Sequence, residues 1–474
     1  MRLKLNPKLV VCIVYVTAMF MAAMDGTIVN VALPTIGNEF QIAPSATSGI
    51  NVGYLVSIAV FLPMAGWLGD RFGTKRIFLI ALSMFTFASL LCGFASNLQT
   101  LNLFRVFQGA GGGLLTPVGM AMLFRTFSPE ERPKVSRSLI FPIAIAPALG
   151  PIIGGLLVEH LTWRWVFYIN LPLGILTLIF GYIFLIEHKD PEVGRLDLPG
   201  FLLSAPGFSM LMYALIQGSS KGWSSPVIMG TGFCGLILVS SLVFVELRAK
   251  NPMLDLRLLS DRLFRTTSIV SLFTVAGLLG LLFIFPLMYQ NTVNSSALES
   301  GLITFPEALG LMLASRVMPW SYKKLGARRV ISIGLMCAII TFVLLSMVSP
   351  ETNLWMLRVL FFNVGFFLGH AVVALQILTF NNINSATMGR ATTLFNVQNR
   401  IGSALGVVIL ASLLGAFDTS TTGTGQSLLV AYQFALLGSA AFLLVALFFA
   451  LCIRKADVVA PEPVHSPVKS SNNI

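Results

Sequence analysis

Two carboxylates lie inside stretches otherwise apolar enough to cross a membrane: Asp25 in FMAAMDGTIVNVALPTI (20–36) and Glu307 in LITFPEALGLM (302–312). A charge at the centre of a bilayer costs at least ~2.5–3.5 kcal/mol on insertion scales, so each acid needs a partner or a task. Two arginines in apolar stretches could control them, Arg105 in LNLFRVFQG and Arg358 in LWMLRVLFF. With a helical rise of 1.5 Å per residue, Asp25 and Glu307 are each expected about 12 Å in from the same membrane face, with Arg105 and Arg358 about six and five residues in from it. These depths pair Asp25 with Arg105 and Glu307 with Arg358, one pair in each half of the chain. Two readings stand for Asp25. It is a permanent ion pair that ties helices together, or a titrating carboxylate that binds a proton facing one side and yields it facing the other as the arginine moves. Its helical face is small, with Ala18, Ala22, Val29 and Ala32 at helical spacing, so a partner helix or a wet cavity can approach. Glu307 is either a second proton site or the anionic anchor for a cationic solute.

The elements that must position these groups follow from composition. In 474 residues, 56% are hydrophobic and 11% charged, which leaves too few polar residues to cover a soluble fold of this size. A bilayer core needs ~20 apolar residues per helix. On that ruler fourteen spans are expected: 9–33, 47–66, 77–95, 99–124, 138–158, 165–186, 199–217, 227–247, 267–289, 299–319, 330–348, 353–377, 390–415 and 428–452. The expected fold class is an all-α integral membrane protein. Of 31 Lys and Arg, 25 fall in segments on the side of the N-terminus, two (Arg164 and Lys221) on the other side, and four (Arg105, Arg316, Arg358 and Arg400) inside spans. That bias puts both termini in the cytoplasm, and it accounts for the net charge of +12 with no nucleic-acid partner. The start MRLK imitates a signal peptide, but the apolar run is too long, and Asp25 and Asn30 stand where cleavage would occur. An uncleaved first span is expected. Five cysteines stand singly in apolar segments, so neither disulfides nor a metal site is expected. Without a GxxxxGK[ST] loop, ATP-driven transport by this chain alone is excluded, and no enzyme activity or cofactor is expected.

The chain also repeats itself. GWLGDRFGTKR (66–76) after span 2 is echoed by PWSYKKLGARR (319–329) after span 10, and LNLFRVFQG in span 4 by LWMLRVLFF in span 12. Both echoes link span n to span n+8. The expected division is a six-helix bundle over 1–190, two inserted spans over 191–262, a second six-helix bundle over 263–455, and a cytoplasmic tail over 456–474. Repeated halves around a midplane cavity mark a secondary transporter. In the first loop Gly66 and Gly73 permit a tight turn, and Asp70 sits where it can meet cations or the positive end of a helix. Arg71, Lys75 and Arg76 fix topology, or the loop is a gate held by a reversible charge pair. Lys323 stands opposite Asp70 in the echo, so gating by this loop is asymmetric. In span 5, PALGPIIGG gathers Pro147, Gly150, Pro151, Gly154 and Gly155, a small face for close helix contact with a bend at proline.

Taken in order, MDGTIVNVALPTI, GWLGDRFGTKR, RVFQGAGGG, ALGPIIGG and WRWVFYINLPLG make a sequence that resembles the major facilitator superfamily, and within it the fourteen-span multidrug/proton antiporters. The resemblance covers nearly the whole chain. It implies two six-helix bundles plus two inserted helices, a gating role for loop 66–76 and above all for Asp70, and export as the direction implied by the span 5 motif. One departure is Ala146, four residues before Gly150, where the family has glycine.

The expected function is proton-coupled efflux of amphiphilic or cationic small molecules across the inner (cytoplasmic) membrane by alternating access, with Asp25, Arg105, Glu307 and Arg358 in the coupling. The alternative is export of one physiological solute such as an antibiotic, siderophore or metabolite, within an envelope-spanning complex that includes a periplasmic adaptor. The expected partners are small-molecule substrates, protons and the lipid bilayer, and the chain is expected to act as a monomer. Candidate cavity residues are Asn30, Gln108, Tyr289, Asn363, His370 and Asn396. Most other polar residues in spans, Asn170, Arg316 and Arg400 among them, are expected to satisfy interhelical hydrogen bonds. His370 is expected to be a packed histidine before a proton relay.

Overall fold

The computed structural model describes residues 5–41, 44–128, 131–189, 196–249, 252–293, 297–349, 351–384, 387–418 and 425–454. The expected tail over 456–474 lies outside these residues, as do Arg2, Lys4, Arg195, Lys250, Lys455 and Lys469. Among the described residues there are seventeen α-helices and no strand. The first group is α1 (Pro7–Glu39), α2 (Pro44–Phe61), α3 (Ala65–Phe72), α4 (Thr74–Gly93), α5 (Leu98–Thr126), α6 (Arg132–His160), α7 (Trp165–Tyr168) and α8 (Asn170–Phe184). Next come α9 (Leu198–Lys221) and α10 (Pro226–Arg248), which pack on each other. The last group is α11 (Arg262–Val293), α12 (Ala297–Thr304), α13 (Pro306–Leu325), α14 (Ala327–Ser346), α15 (Leu354–Thr379), α16 (Met388–Asp418) and α17 (Gly425–Leu451).

Local chemistry sets the ends of these helices. Asn6, Asn97, Asp197 and Asn353 each turn a side-chain oxygen onto a backbone N–H of the first turn of α1, α5, α9 and α15, satisfying donors that the helix leaves open. Pro63 lies in the break where α2 bends 54° into α3. Glycine ends both α3 and α13 in the left-handed region, with φ 102° at Gly73 and 79° at Gly326. Only a residue without Cβ takes that turn cheaply, so the repeated loop has one backbone shape in both halves.

Among the described residues twelve helices are long and apolar enough to cross a membrane, thirteen if the bent pair Gly49–Phe61 and Ala65–Phe72 is one span. This is one short of the expected fourteen. The remaining helix is α6, of which the stretch Ile145–His160 counts as apolar among the described residues. A second difference is at the end of α1, which continues through Pro34 to Glu39 instead of stopping at 33.

Small residues bring backbones together in each group. Gly109 and Gly113 of α5 face the carbonyls of Tyr54 and Ile58 in α2, while Gly111 faces the backbone of Ala81 and Phe85 in α4. In the second group a Cβ built on Gly365 would collide with the carbonyl oxygen of Glu307, and one on Gly310 with that of Phe362. These contacts are backbone on backbone, so no rotamer change relieves them. Gly365→Val is expected to cost more than the ~1–3 kcal/mol of ordinary overpacking and to remove the monodisperse peak of the protein in size-exclusion chromatography. Gly155→Ala is expected to leave it intact, since nothing lies within 4 Å of that Cβ position.

The two groups meet where α6 packs on α13 and, on the face that carries most of the basic residues, where α3 and α5 pack on α16. There Phe124 of α5 and Phe380 lie 5.0 Å apart by ring centroids, and Phe395 of α16 meets Phe380 at 5.2 Å. Thr392 donates to the carbonyl of Pro117 at 3.2 Å across the same junction.

Candidate functional site

Asp25 is fully buried on α1, at 0% exposure. Its Oδ2 accepts from Arg105 Nη1 at 2.6 Å, and its Oδ1 accepts from Gln108 Nε2 at 2.8 Å and Asn170 Nδ2 at 3.2 Å. Four helices thus meet in one polar cluster around Asp25 of α1, because α5 supplies Arg105 and Gln108 one turn apart, α8 supplies Asn170 at its first residue, and α4 supplies Ser89 behind the two amides. The Ser89 hydroxyl accepts from Gln108 Nε2 at 3.1 Å and from Asn170 Nδ2 at 3.0 Å, and donates to the Phe167 carbonyl at 3.1 Å. Arg105 Nη1 also donates to Gln108 Oε1 at 2.7 Å, and its guanidinium lies 4.1 Å from the centroid of the Tyr54 ring. Such a cation–ring contact is worth ~2 kcal/mol when desolvated.

The donor–acceptor count of this knot fits an ionised carboxylate, which only accepts. All three groups facing Asp25 are donors. A protonated Asp25 would carry a hydrogen toward Arg105 or toward the two amides, so one of those contacts must open. Arg105 Nη2 and Asn170 Oδ1 are buried without a hydrogen-bond partner among the described residues, so the knot is not saturated.

The second expected pair does not form. Arg358 stacks on Trp355 at 4.9 Å, and Glu307 has no ion pair or side-chain hydrogen bond among the described residues. The reason is depth. Pro306 breaks the helix and sets Glu307 in the first turn of α13, level with Gly365 of α15. Gly365 is seven residues, about 10 Å, further along α15 than Arg358. Arg358 is the fifth residue of α15, whereas Arg105 is the eighth of α5, so the echo misses by nearly a turn.

Loop 66–76 builds a second polar junction. Asp70 is buried, with its Oδ1 2.6 Å from Arg125 Nη2 of α5. A Cβ on Gly389, the second residue of α16, would lie 2.7 Å from the same Oδ1. The carboxylate therefore sits on the N-terminus of α16, where the helix dipole favours negative charge. Gly66 lets the helices cross, its Cβ position lying 2.6 Å from the Gly389 carbonyl. Lys75 Nζ donates to the carbonyls of Tyr182 and Leu185 at the end of α8, and Glu187 accepts from the N–H groups of Lys75 and Arg76. Arg71 is exposed. In the echo Lys323 and Lys324 are exposed. Nearby, Glu131 stands just before α6 outside the spans, and its hydrogen bonds from Lys8 and the Ser128 N–H hold its carboxyl below the usual carboxylate range. That tie is in place at neutral pH and is lost as pH falls through the lowered value.

In the span 5 motif, Gly150 and Gly154 seat α6 on Thr27, Ile28 and Val31 of α1, directly after Asp25. Pro147 is exposed, and the Pro151 side chain lies outside the described residues. The six cavity candidates form no single hydrogen-bonded cluster among the described residues. Gln108 belongs to the Asp25 knot. Asn30 is exposed and accepts from Asn51 at 2.7 Å. Asn396 contacts Met120 Sδ at 3.6 Å across the two groups. Tyr289 stacks on Phe285 at 6.0 Å. His370 lies 2.8 Å from the Phe366 carbonyl, as a packed histidine does, and Asn363 is half-buried. Residues that sequence reasoning passed over are Ser89 and Tyr54 in the knot, Arg125 as the partner of Asp70, and Glu187. Nothing in one sequence marks the first two, whereas Glu187 stands out as the acid that ends span 6.

Comparison with known proteins adds the lineage. The family model described as Major Facilitator Superfamily matches residues 15–407 and again 267–469. The chain is 31% identical over 413 residues to a putative multidrug resistance protein MdtD of Pectobacterium carotovorum, covering 87% of this chain and 88% of that protein. It is 29% identical over 406 residues to a multidrug resistance protein B homolog of Mycobacterium tuberculosis, covering 85% and 75%. It has the same identity, length and coverage with an uncharacterized MFS-type transporter, YhcA, of Bacillus subtilis. Among solved structures, the human organic anion transporter MFSD10 superposes with a TM-score of 0.67 over 94% of this chain and all of that one, at 14% identity. That last likeness speaks for the fold. With the helical architecture, the apolar spans and the match over most of its length, the chain belongs to the major facilitator superfamily and is a multi-pass membrane transporter.

Proposed function

We propose that this transporter exports amphiphilic small molecules, cationic ones among them, across the cytoplasmic membrane in exchange for protons. The carrying observation is the buried Asp25 knot. Its contacts suit the charged carboxylate, so protonation must break one of them, and the Arg105 contact is the one with fallback partners. Gln108 Oε1 and the Tyr54 face already touch the guanidinium. A proton arriving at Asp25 would release Arg105, shift α1 against α5 and favour the opposite-facing state. Inward movement of one proton charge supplies ~2.3 kcal/mol per 100 mV, plus the pH gradient. The names of the relatives MdtD and multidrug resistance protein B homolog support the substrate class.

In this reading α6 is the fourteenth span, both termini are cytoplasmic, and the moving bodies are the bundles of 1–190 and 263–455. Asp70, Arg71, Lys75 and Arg76 form the gate on the basic face, Glu307 is a second polar contact for cationic solutes, and Gly150 and Gly154 guide α6 along α1 during export. Efflux of ethidium from energised inverted-membrane vesicles tests the proposal. Uphill movement is expected with a proton gradient and its collapse with a protonophore. Accumulation that persists with neither pH gradient nor potential would sink proton coupling.

A further inference from the structure

We infer that a lateral cavity under the inserted helix α9 binds amphiphilic organic anions, molecules with an apolar body and one carboxylate or sulfonate, and that Arg400 is their counter-ion. The cavity has a volume of about 280 Å³ and is walled by Leu55 and Ile58 of α2, Met212 of α9, Phe283 of α11, and Arg400 and Val407 of α16. Its size is near the lower end of ligand pockets, ~300 Å³, and its lining of apolar walls with one charged group is how such pockets fix orientation.

Arg400 lies inside a span with its side chain exposed; it has no ion pair, hydrogen bond or ring contact among the described residues, and its electrostatic neighbour is the Tyr54 hydroxyl of α2. Interhelical hydrogen bonding, the expected fate of such a residue, does not account for it. Nor does a lipid headgroup. Arg400 is twelve residues into α16, about 18 Å along the helix, beyond the depth of headgroups in a bilayer whose core is ~30 Å thick. A membrane-depth guanidinium is costly unless something offsets it, and an amphiphilic anion offers both the charge and the apolar surface this cavity presents. The acids near the spans are elsewhere engaged or placed, with Asp25 held by Arg105, Asp70 by Arg125 and Glu307 on α13. Position adds meaning. The cavity lies where α2 of the first group faces α16 of the second, and α9 packs on both. The inserted helix thus roofs a site that the other two helices form between them. Tyr54, which stacks on Arg105, precedes Leu55 of the cavity wall on α2. An anion bound at Arg400 of α16 therefore packs against α2, the helix that shields the Asp25 knot.

Taking the bound anion to be exported rests on the transporter reading, while the binding step is measured without any gradient and stands apart from it. The probes are 8-anilinonaphthalene-1-sulfonate and its uncharged analogue N-phenyl-1-naphthylamine, titrated into purified protein in lipid nanodiscs and read by fluorescence. Wild type is expected to bind the sulfonate at least ~10-fold more tightly than the neutral probe, the scale of a charge-assisted contact. Arg400→Met should erase that preference and leave the neutral probe within ~2-fold, and Arg400→Lys should keep most of it. Arg316→Met, which removes an arginine exposed on α13 outside this cavity, should change nothing. Sulfonate binding unchanged in Arg400→Met, or lost equally in Arg316→Met, would overturn the assignment. Should Arg400→Met not fold, Ala404→Phe decides: it fills the same cavity and must weaken both probes, and unaltered binding overturns the site. Loss of sulfonate binding with ethidium efflux intact leaves the transporter reading standing.

Discussion

Asp25→Asn is expected to abolish uphill efflux in energised vesicles while leaving a protein that still inserts and can be purified. The amide keeps one oxygen to accept from Gln108 and Asn170, but its NH2 group points a donor at Arg105, which then has a buried charge and no counter-ion. Breaking a buried pair by removing one partner costs about 3–5 kcal/mol, and thermal unfolding of the purified variant should show a loss on that scale. Adding Arg105→Gln removes the orphaned charge and should restore most of the stability without restoring transport. The double variant therefore separates the two readings of Asp25. If the pair only ties helices together, a neutral pair of equal stability transports as well as wild type does. If Asp25 carries the proton, stability returns and uphill movement does not. Efflux by Asp25→Asn with an unchanged dependence on the pH gradient would end the titrating role.

How far the site was readable from sequence follows from what each inference needed. The Asp25–Arg105 contact was legible because an acid and an arginine inside spans have few alternatives, and depth along a helix can be counted. Counting failed for Glu307 and Arg358, where a proline break and a shift of nearly a turn moved the partners about 10 Å apart along α15. The knot around Asp25 was only partly legible. Asn170 and Gln108 are visible as polar residues in apolar runs, yet which face of the helix they occupy depends on packing set by Gly109, Gly111 and Gly113 of α5 against α2 and α4. Ser89 and Tyr54 gave no signal, since serine and tyrosine are ordinary in such helices. The helical fold itself followed from apolar length. The number of spans did not, because among the described residues the pair α2 and α3, bent by 54°, makes one span or none. Arg125 was counted only as a topology signal, although it lies within 2.6 Å of Asp70.

That junction carries the second large prediction. Asp70→Asn is expected to loosen the basic face, because the carboxylate serves two positive groups at once, the Arg125 guanidinium and the N-terminus of α16 at Gly389. Hydrogen bonds to charged groups are worth about 1.5–3 kcal/mol, so losing about 2 kcal/mol from the closed state shifts its population roughly 30-fold. A cysteine placed at Thr393, which faces Gly66 at the crossing of α3 and α16, should react with a water-soluble maleimide much faster in the Asp70→Asn background, and efflux should fall with it. Exchanging the charges as Asp70→Arg with Arg125→Asp then tells which contact matters. The swap rebuilds an ion pair between α3 and α5, both in the first group, but it puts an arginine against the helix N-terminus of the second. If closure depends on that cross-group contact, the swapped protein stays as reactive at position 393 as Asp70→Asn and transports no better. If the swap restores both closure and efflux, the Asp70–Arg125 pair alone holds the gate, and the helix terminus of α16 contributes nothing to it. The echo loop has no acid at this place: Lys323 stands there exposed, and Lys324 lies 5.0 Å from the centroid of the Trp320 ring.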